Sequence, residues 1–172
     1  MSGHIGLLPS FASTSYTSAM SAPMQFLYKV RRFVIGRLRL RTRGVKVMLF
    51  NSKGELLLIR NSYGSSHLYL LPGGGIGWRE TPERAAEREV MEEVGLEVRQ
   101  LAKVSTHFSR AEGKRDTVYL FRGVADGEPK TDSVEVSEAG FFPLDKLPEN
   151  VSAATLRRIS EYQGLRPADP AW

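Results

Sequence analysis

Glu89, Glu92 and Glu93 stand at relative positions 0, +3 and +4 in the run GGIGWRETPERAAEREVMEEVGL, Gly74 to Leu96. A helix with about 3.6 residues per turn stacks all three carboxylates on one face. Left without a counter-charge they repel one another and weaken the helix. A hard divalent cation turns that liability into a site, because Mg²⁺ prefers carboxylate oxygens and phosphates. The helix is otherwise well specified. Thr81 is the expected N-cap, Pro82 suits the first helical position, and Glu83 complements the positive end of the dipole. Gly95 is a natural C′ residue and predicts an end near Val94. Ala86, Val90 and Val94 recur every four residues as a narrow apolar stripe. One face packs and the other collects acid.

The chain has 172 residues, enough for one domain with a proper core. It contains no cysteine, which excludes disulfides and thiolate zinc sites. No apolar run approaches the roughly 18 residues that span a bilayer. The first 23 residues carry no Lys or Arg, so neither a secretory leader nor an Arg-rich transit peptide is expected, and a cytoplasmic location follows as the expectation. The net charge of +5 comes from the front: residues 1–54 hold nine basic residues and no acid.

That front divides in two. Residues 1–23 are Ser-rich and aperiodic, and read as a disordered tail, with Met20 and Met24 as alternative starts. Residues 24–42 form a basic amphipathic segment. Phe26, Val30, Phe33 and Val34 follow helical spacing, while Arg37, Arg39 and Arg41 alternate with leucines as in an edge strand. Such Arg stems cover apolar surface with their heads in water, the reading favoured over a patch for anionic lipid or nucleic acid.

Gly44 to Asn51 and Glu55 to Arg60 read as strands joined by the turn Asn51-Ser52-Lys53-Gly54. Arg60, at the second strand's end, suits either a substrate phosphate or a surface ion pair. Gly73, Gly74 and Gly75 follow Pro72 in a tight loop. Their backbone could approach phosphate, but aiming Glu80 and the helix is the favoured task. Glu97 to Phe108 and Asp116 to Ala125 read as longer strands around a loop carrying Arg110, Glu112, Lys114 and Arg115. Arg110 is a substrate candidate there, because loops beside a site select substrate. His107 reads as packed. Val134 to Leu144 is a further strand. Ser152 to Gln163 reads as a helix with Leu156 and Ile159 facing inward, closed by Gly164 and followed by a tail, residues 165–172.

Gly74, five residues, Glu80, seven residues, Arg88-Glu89-Val90, one residue, Glu92-Glu93, one residue and Gly95-Leu96 resembles the Nudix box at every fixed position. The resemblance implies an α/β fold, an α/β/α sandwich around a mixed central sheet, over residues 43–164. It implies a Mg²⁺- or Mn²⁺-dependent pyrophosphohydrolase that cuts a diphosphate linked to another moiety. Glu89, Glu92 and Glu93 would hold metal, and Glu80 would support the loop or a further ion. Arg88 would orient the carboxylates through hydrogen bonds to the loop. Many proteins of this kind carry one more carboxylate near the last strand, as general base or ligand. Glu135 and Glu138 qualify, and Glu135 is preferred at the loop-to-strand junction. The partner implied is a small nucleoside diphosphate derivative, nucleic acid being less favoured, and the resemblance leaves room for a homodimer. Gly77, where an acid is frequent, and Arg79, where glycine is frequent, depart from the common pattern and bear on substrate subclass. The rival reading is a catalytically silent module of the same fold that binds a nucleotide or RNA.

Overall fold

The computed structural model describes residues 43–62, 66–109, 116–131 and 133–172. The expected tail, the basic segment of residues 24–42 and Arg110 with the rest of its loop lie outside the described residues. In chain order the elements are β1 (Arg43–Phe50), β2 (Leu56–Asn61), β3 (Tyr69–Leu70), α1 (Pro82–Val94), β4 (Arg99–Ser109), β5 (Asp116–Val124), β6 (Val136–Phe142) and α2 (Ala153–Tyr162).

The sheet is mixed. β1 runs parallel to β5 in unbroken register from Arg43↔Thr117 to Phe50↔Val124, and β4 pairs antiparallel with β5. The turn after β1 closes as its residues demand. The Asn51 side chain accepts from the backbone N–H groups of Lys53 and Glu55, and Gly54 takes φ 76°. Yet β1 and β2 meet only at Phe50↔Leu56 before diverging. β2 instead pairs with β6 along its length and with β3 at Ile59 and Arg60. The vacated edge of β1 is taken by the glycine loop: Val47 donates to the Pro72 carbonyl at 3.0 Å and Val45 to that of Gly74 at 2.9 Å. This detour brings the loop across the sheet in front of α1.

Strand alternation builds two cores, one on each face. Val45, Val47, Leu49, Leu57, Ile59 and Phe121 pack against Ala85, Ala86, Val90 and Val94 of α1. Met48, Phe50, Leu56, Leu58 and Leu120 pack with Ile159 of α2 on the other face. The result is an α/β/α sandwich. In α2 the inward set differs from expectation. Thr155, Arg158 and Ile159 are buried, whereas Leu156 is 42% exposed. Arg158 takes the buried position because partners await it there.

Candidate functional site

α1 is capped at both ends by the residues that the sequence assigns. The Thr81 hydroxyl accepts from the Arg84 N–H at 3.3 Å, and Gly95 in the left-handed region returns its N–H to the Met91 carbonyl. With the apolar stripe seated, the acidic positions face the glycine loop. That loop has little freedom of composition. A Cβ on Gly74 would lie 2.6 Å from a Glu89 carboxylate oxygen, so the box glycine is the gap into which Glu89 fits. Gly73 sits at φ 124°, with the Val45 carbonyl 2.4 Å from where its Cβ would be.

Arg88 ties the loop to the helix. Its Nε donates to Glu80 at 2.7 Å, one terminal nitrogen to Glu89 at 2.9 Å and Glu92 at 3.0 Å, and the other to the Gly75 carbonyl at 3.0 Å. Only a planar fork of donors serves three carboxylates and a carbonyl together. Glu80 also accepts from the Gly77 N–H at 2.6 Å. The carboxylates hold the guanidinium firmly protonated, its bonds to Glu80 contributing most.

Glu93 is the buried member, 8% exposed. It accepts the Gly73 N–H at 2.8 Å, so that donor serves the helix and does not point at solvent. Burial pushes its carboxyl up to about 7. Lys46 and the Gly73 bond oppose the rise, while Glu89 and Glu135 add to it. Glu89 is raised as well, by burial first, against the pull of Arg88.

Glu135 precedes β6, and its charge adds to the rise of the Glu93 carboxyl. Ser62 donates its N–H to the Glu135 carbonyl at 2.8 Å, and the Ser133 hydroxyl reaches the Glu93 carbonyl at 3.4 Å, which joins the β6 approach to the end of α1. Glu138 is elsewhere. Alternation turns Arg60 and Glu138 toward the α2 face, where they pair at 3.0 Å, the Tyr69 hydroxyl donates to Glu138, and Arg60 lies over the Tyr69 ring. Arg60 is therefore not brought to the carboxylates of α1.

Lys46 belongs to the site although spacing does not single it out. Its ammonium donates to the carbonyls of Leu71 at 2.8 Å and Gly73 at 2.7 Å. Burial lowers its pKa, and the charges of Glu93 and Glu89 oppose that. The available signal is a lone charge in an otherwise apolar strand, Gly-Val-Lys-Val-Met-Leu-Phe.

As the side chains stand, no three acidic or imidazole groups among the described residues converge on one point, and Arg88 holds Glu89 and Glu92 on its own nitrogens. The donor set nevertheless suits a hard cation. It offers oxygens only, with two carboxyls, Glu89 and Glu93, raised by burial and further disfavoured by negative neighbours. Glu92, with a 60% exposed side chain, can turn inward without disturbing the core.

The NUDIX domain family profile matches residues 40–162. A Streptomyces griseus isopentenyl-diphosphate Delta-isomerase is 33% identical over 144 residues, covering 73% of this chain and 70% of that protein. A Bacillus subtilis protein provisionally named 8-oxo-dGTP diphosphatase is 25% identical over 122 residues, 71% of this chain and 80% of its own length. The crystal structure of a MutT NUDIX hydrolase from Burkholderia pseudomallei superposes with a TM-score of 0.63 at 25% identity, over 70% of this chain and 97% of that one. Profile, relatives, sandwich and glycine-glutamate-arginine loop agree: the chain belongs to the NUDIX domain family.

Proposed function

We propose that the chain hydrolyses the diphosphate linkage of a nucleoside diphosphate derivative with the help of Mg²⁺ or Mn²⁺. The observation that carries this reading is the pair of raised carboxylates, half-buried Glu89 and buried Glu93, kept against the glycine loop at an electrostatic cost. A fold with no use for a cation has no reason to bear that cost. Glu89, Glu92 and Glu93 would hold the ion, with Glu80 supporting the loop. When bound, the cation supplies charge neutralisation on phosphate oxygens and a water of lowered pKa.

The chain's own groups do the rest. Arg88 fixes the carboxylates against the loop through Glu80 and the Gly75 carbonyl. Lys46 anchors residues 71–73 beneath Glu93. Glu135 or Glu89 accepts the proton of the attacking water. The product leaves as a phosphate-bearing fragment.

The test is a hydrolysis screen with Mg²⁺ and with EDTA over nucleoside triphosphates, nucleotide sugars, dinucleotides and capped RNA. Metal-dependent release of a phosphate product from at least one class supports the reading, and its absence from all of them removes it. Because one relative bears an isomerase name, isopentenyl diphosphate belongs in the screen. Isomerisation without phosphate release would replace hydrolysis by proton transfer on the same diphosphate site.

A further inference from the structure

Trp78 is 92% exposed, the barest large apolar side chain among the described residues, and it lies two positions before Glu80. Its loop is held on either side. Arg88 grips the Gly75 carbonyl, the Gly77 N–H and Glu80 bond to each other, and Ile76 packs against the core under α1. The Glu80 N–H returns to the Gly77 carbonyl at 3.3 Å, closing a turn with Trp78 and Arg79 at its centre. Arg79 takes φ 61°, the conformation that glycine adopts without steric cost at the third position of such a turn. An arginine there carries a steric cost, and no hydrogen bond or ion pair with a described residue offsets it. Arg88 gathers Glu80, Glu89 and Glu92, while Arg79 makes no ion pair with a described residue.

From this geometry we infer that Trp78 and Arg79 are the recognition tip for the nucleoside half of the substrate, the indole stacking on the base and the guanidinium holding an adjacent phosphate oxygen. This rests on the hydrolase reading for the position of the diphosphate. An indole held at a rigid tip loses little freedom on stacking, and every base offers it a π face. An isoprenoid tail needs an apolar enclosure, and a side chain exposed to this degree offers a face with no walls.

Trp78 and Trp172 are the only two tryptophans, so Trp172→Phe leaves Trp78 as the sole indole emitter. That variant, in Mg²⁺, is titrated with the α,β-methylene analogues of ADP and of UDP, and with methylenediphosphonate, which has no base. The inference expects saturable quenching by a nucleoside analogue and none by methylenediphosphonate. Calorimetry on the otherwise unaltered chain guards against damage from the Trp172 change. In turnover, Trp78→Ala should raise KM roughly ten-fold with Trp78→Phe between it and wild type, and kcat should stay within about two-fold. Arg79→Gly should weaken binding of all three probes without lowering the thermal midpoint. Unchanged emission at analogue concentrations where calorimetry registers binding overturns the inference, as does the absence of binding by either nucleoside analogue. Metal-dependent hydrolysis with an unaltered KM in Trp78→Ala removes the recognition tip and leaves the hydrolase standing. Base-dependent quenching with no hydrolysis by wild type does the reverse.

Discussion

A single carboxylate shows how the site uses burial. Glu93 is raised from the ordinary 4.5 to about 7, so the folded state holds this proton more tightly than the unfolded chain. The metal-free protein therefore loses stability as pH rises from about 4.5 through 7, and the loss is complete above that window. Glu93→Gln abolishes the dependence while keeping an acceptor for the Gly73 N–H. Urea melts of both proteins in EDTA between pH 5 and 8 should show the curves separating with rising pH, the variant becoming the more stable by on the order of 1 kcal/mol. Parallel curves would remove the burial account. Turnover should fall at least about a hundredfold in the same variant, as expected for loss of a metal-orienting group. Gly74 is the complementary case. Gly74→Ala drives a methyl into the Glu89 carboxylate. The expected result is turnover reduced at least about tenfold together with a weaker response to Mg²⁺. Full activity in Gly74→Ala would show that Glu89 has another place to go.

At the scale of elements, α1 was legible because its information is local. Thr81, Pro82 and Gly95 mark its ends, and a 3.6-residue period fixes both its packed and its acidic face. Gly95→Ala should therefore cost about 1 kcal/mol, since alanine must adopt φ 66° there. Thr81→Ala should cost about 0.5–2 kcal/mol through the lost cap. Thermal denaturation checks both, and a neutral Gly95→Ala would mean that the helix end relaxes. Sheet partners were not legible. Nothing local in Arg43–Phe50 says that its long partner is Asp116–Val124, some seventy residues on, or that the hairpin with β2 opens after one pair. Tertiary contacts decide these. Arg60 was open to two readings because the face of a strand end depends on what lies above it. Leu156 departs from its helical expectation for a related reason: α2 gives an inward position to Arg158, whose partners come from β4 and the chain end. Lys46 is not legible from spacing because its partners are loop carbonyls, which carry no side-chain signature.

At the scale of the whole molecule, residues 165–172 behave as part of the described unit. The Phe108 N–H donates to the Pro170 carbonyl at 2.7 Å, and the Trp172 N–H donates to Phe108 at 3.1 Å. Trp172 meets the His107 ring edge-on and underlies Arg158 at 5.6 Å. Burial and then the Arg158 charge hold His107 below its ordinary 6.5, so the folded protein keeps it neutral. Protonation then favours the unfolded chain, and stability is lost as pH falls below about 6.5. His107→Gln should show a smaller drop in thermal midpoint between pH 7 and 5 than wild type, and an equal drop would assign acid sensitivity elsewhere. Ending the chain at Gly164 should lower the midpoint by several degrees, as about 1 kcal/mol does in a domain of this size. The central claim, that the acidic face of α1 is a cation site and not a solvated surface, is tested most directly by thermal melts of wild type and Glu93→Gln at pH 8, each in EDTA and in Mg²⁺. The account predicts that the variant melts no lower than wild type in EDTA, and that Mg²⁺ raises the wild-type midpoint more than the variant's, in proportion to affinity for the folded state. A variant that melts lower in EDTA and gains as much from Mg²⁺ as wild type would contradict it.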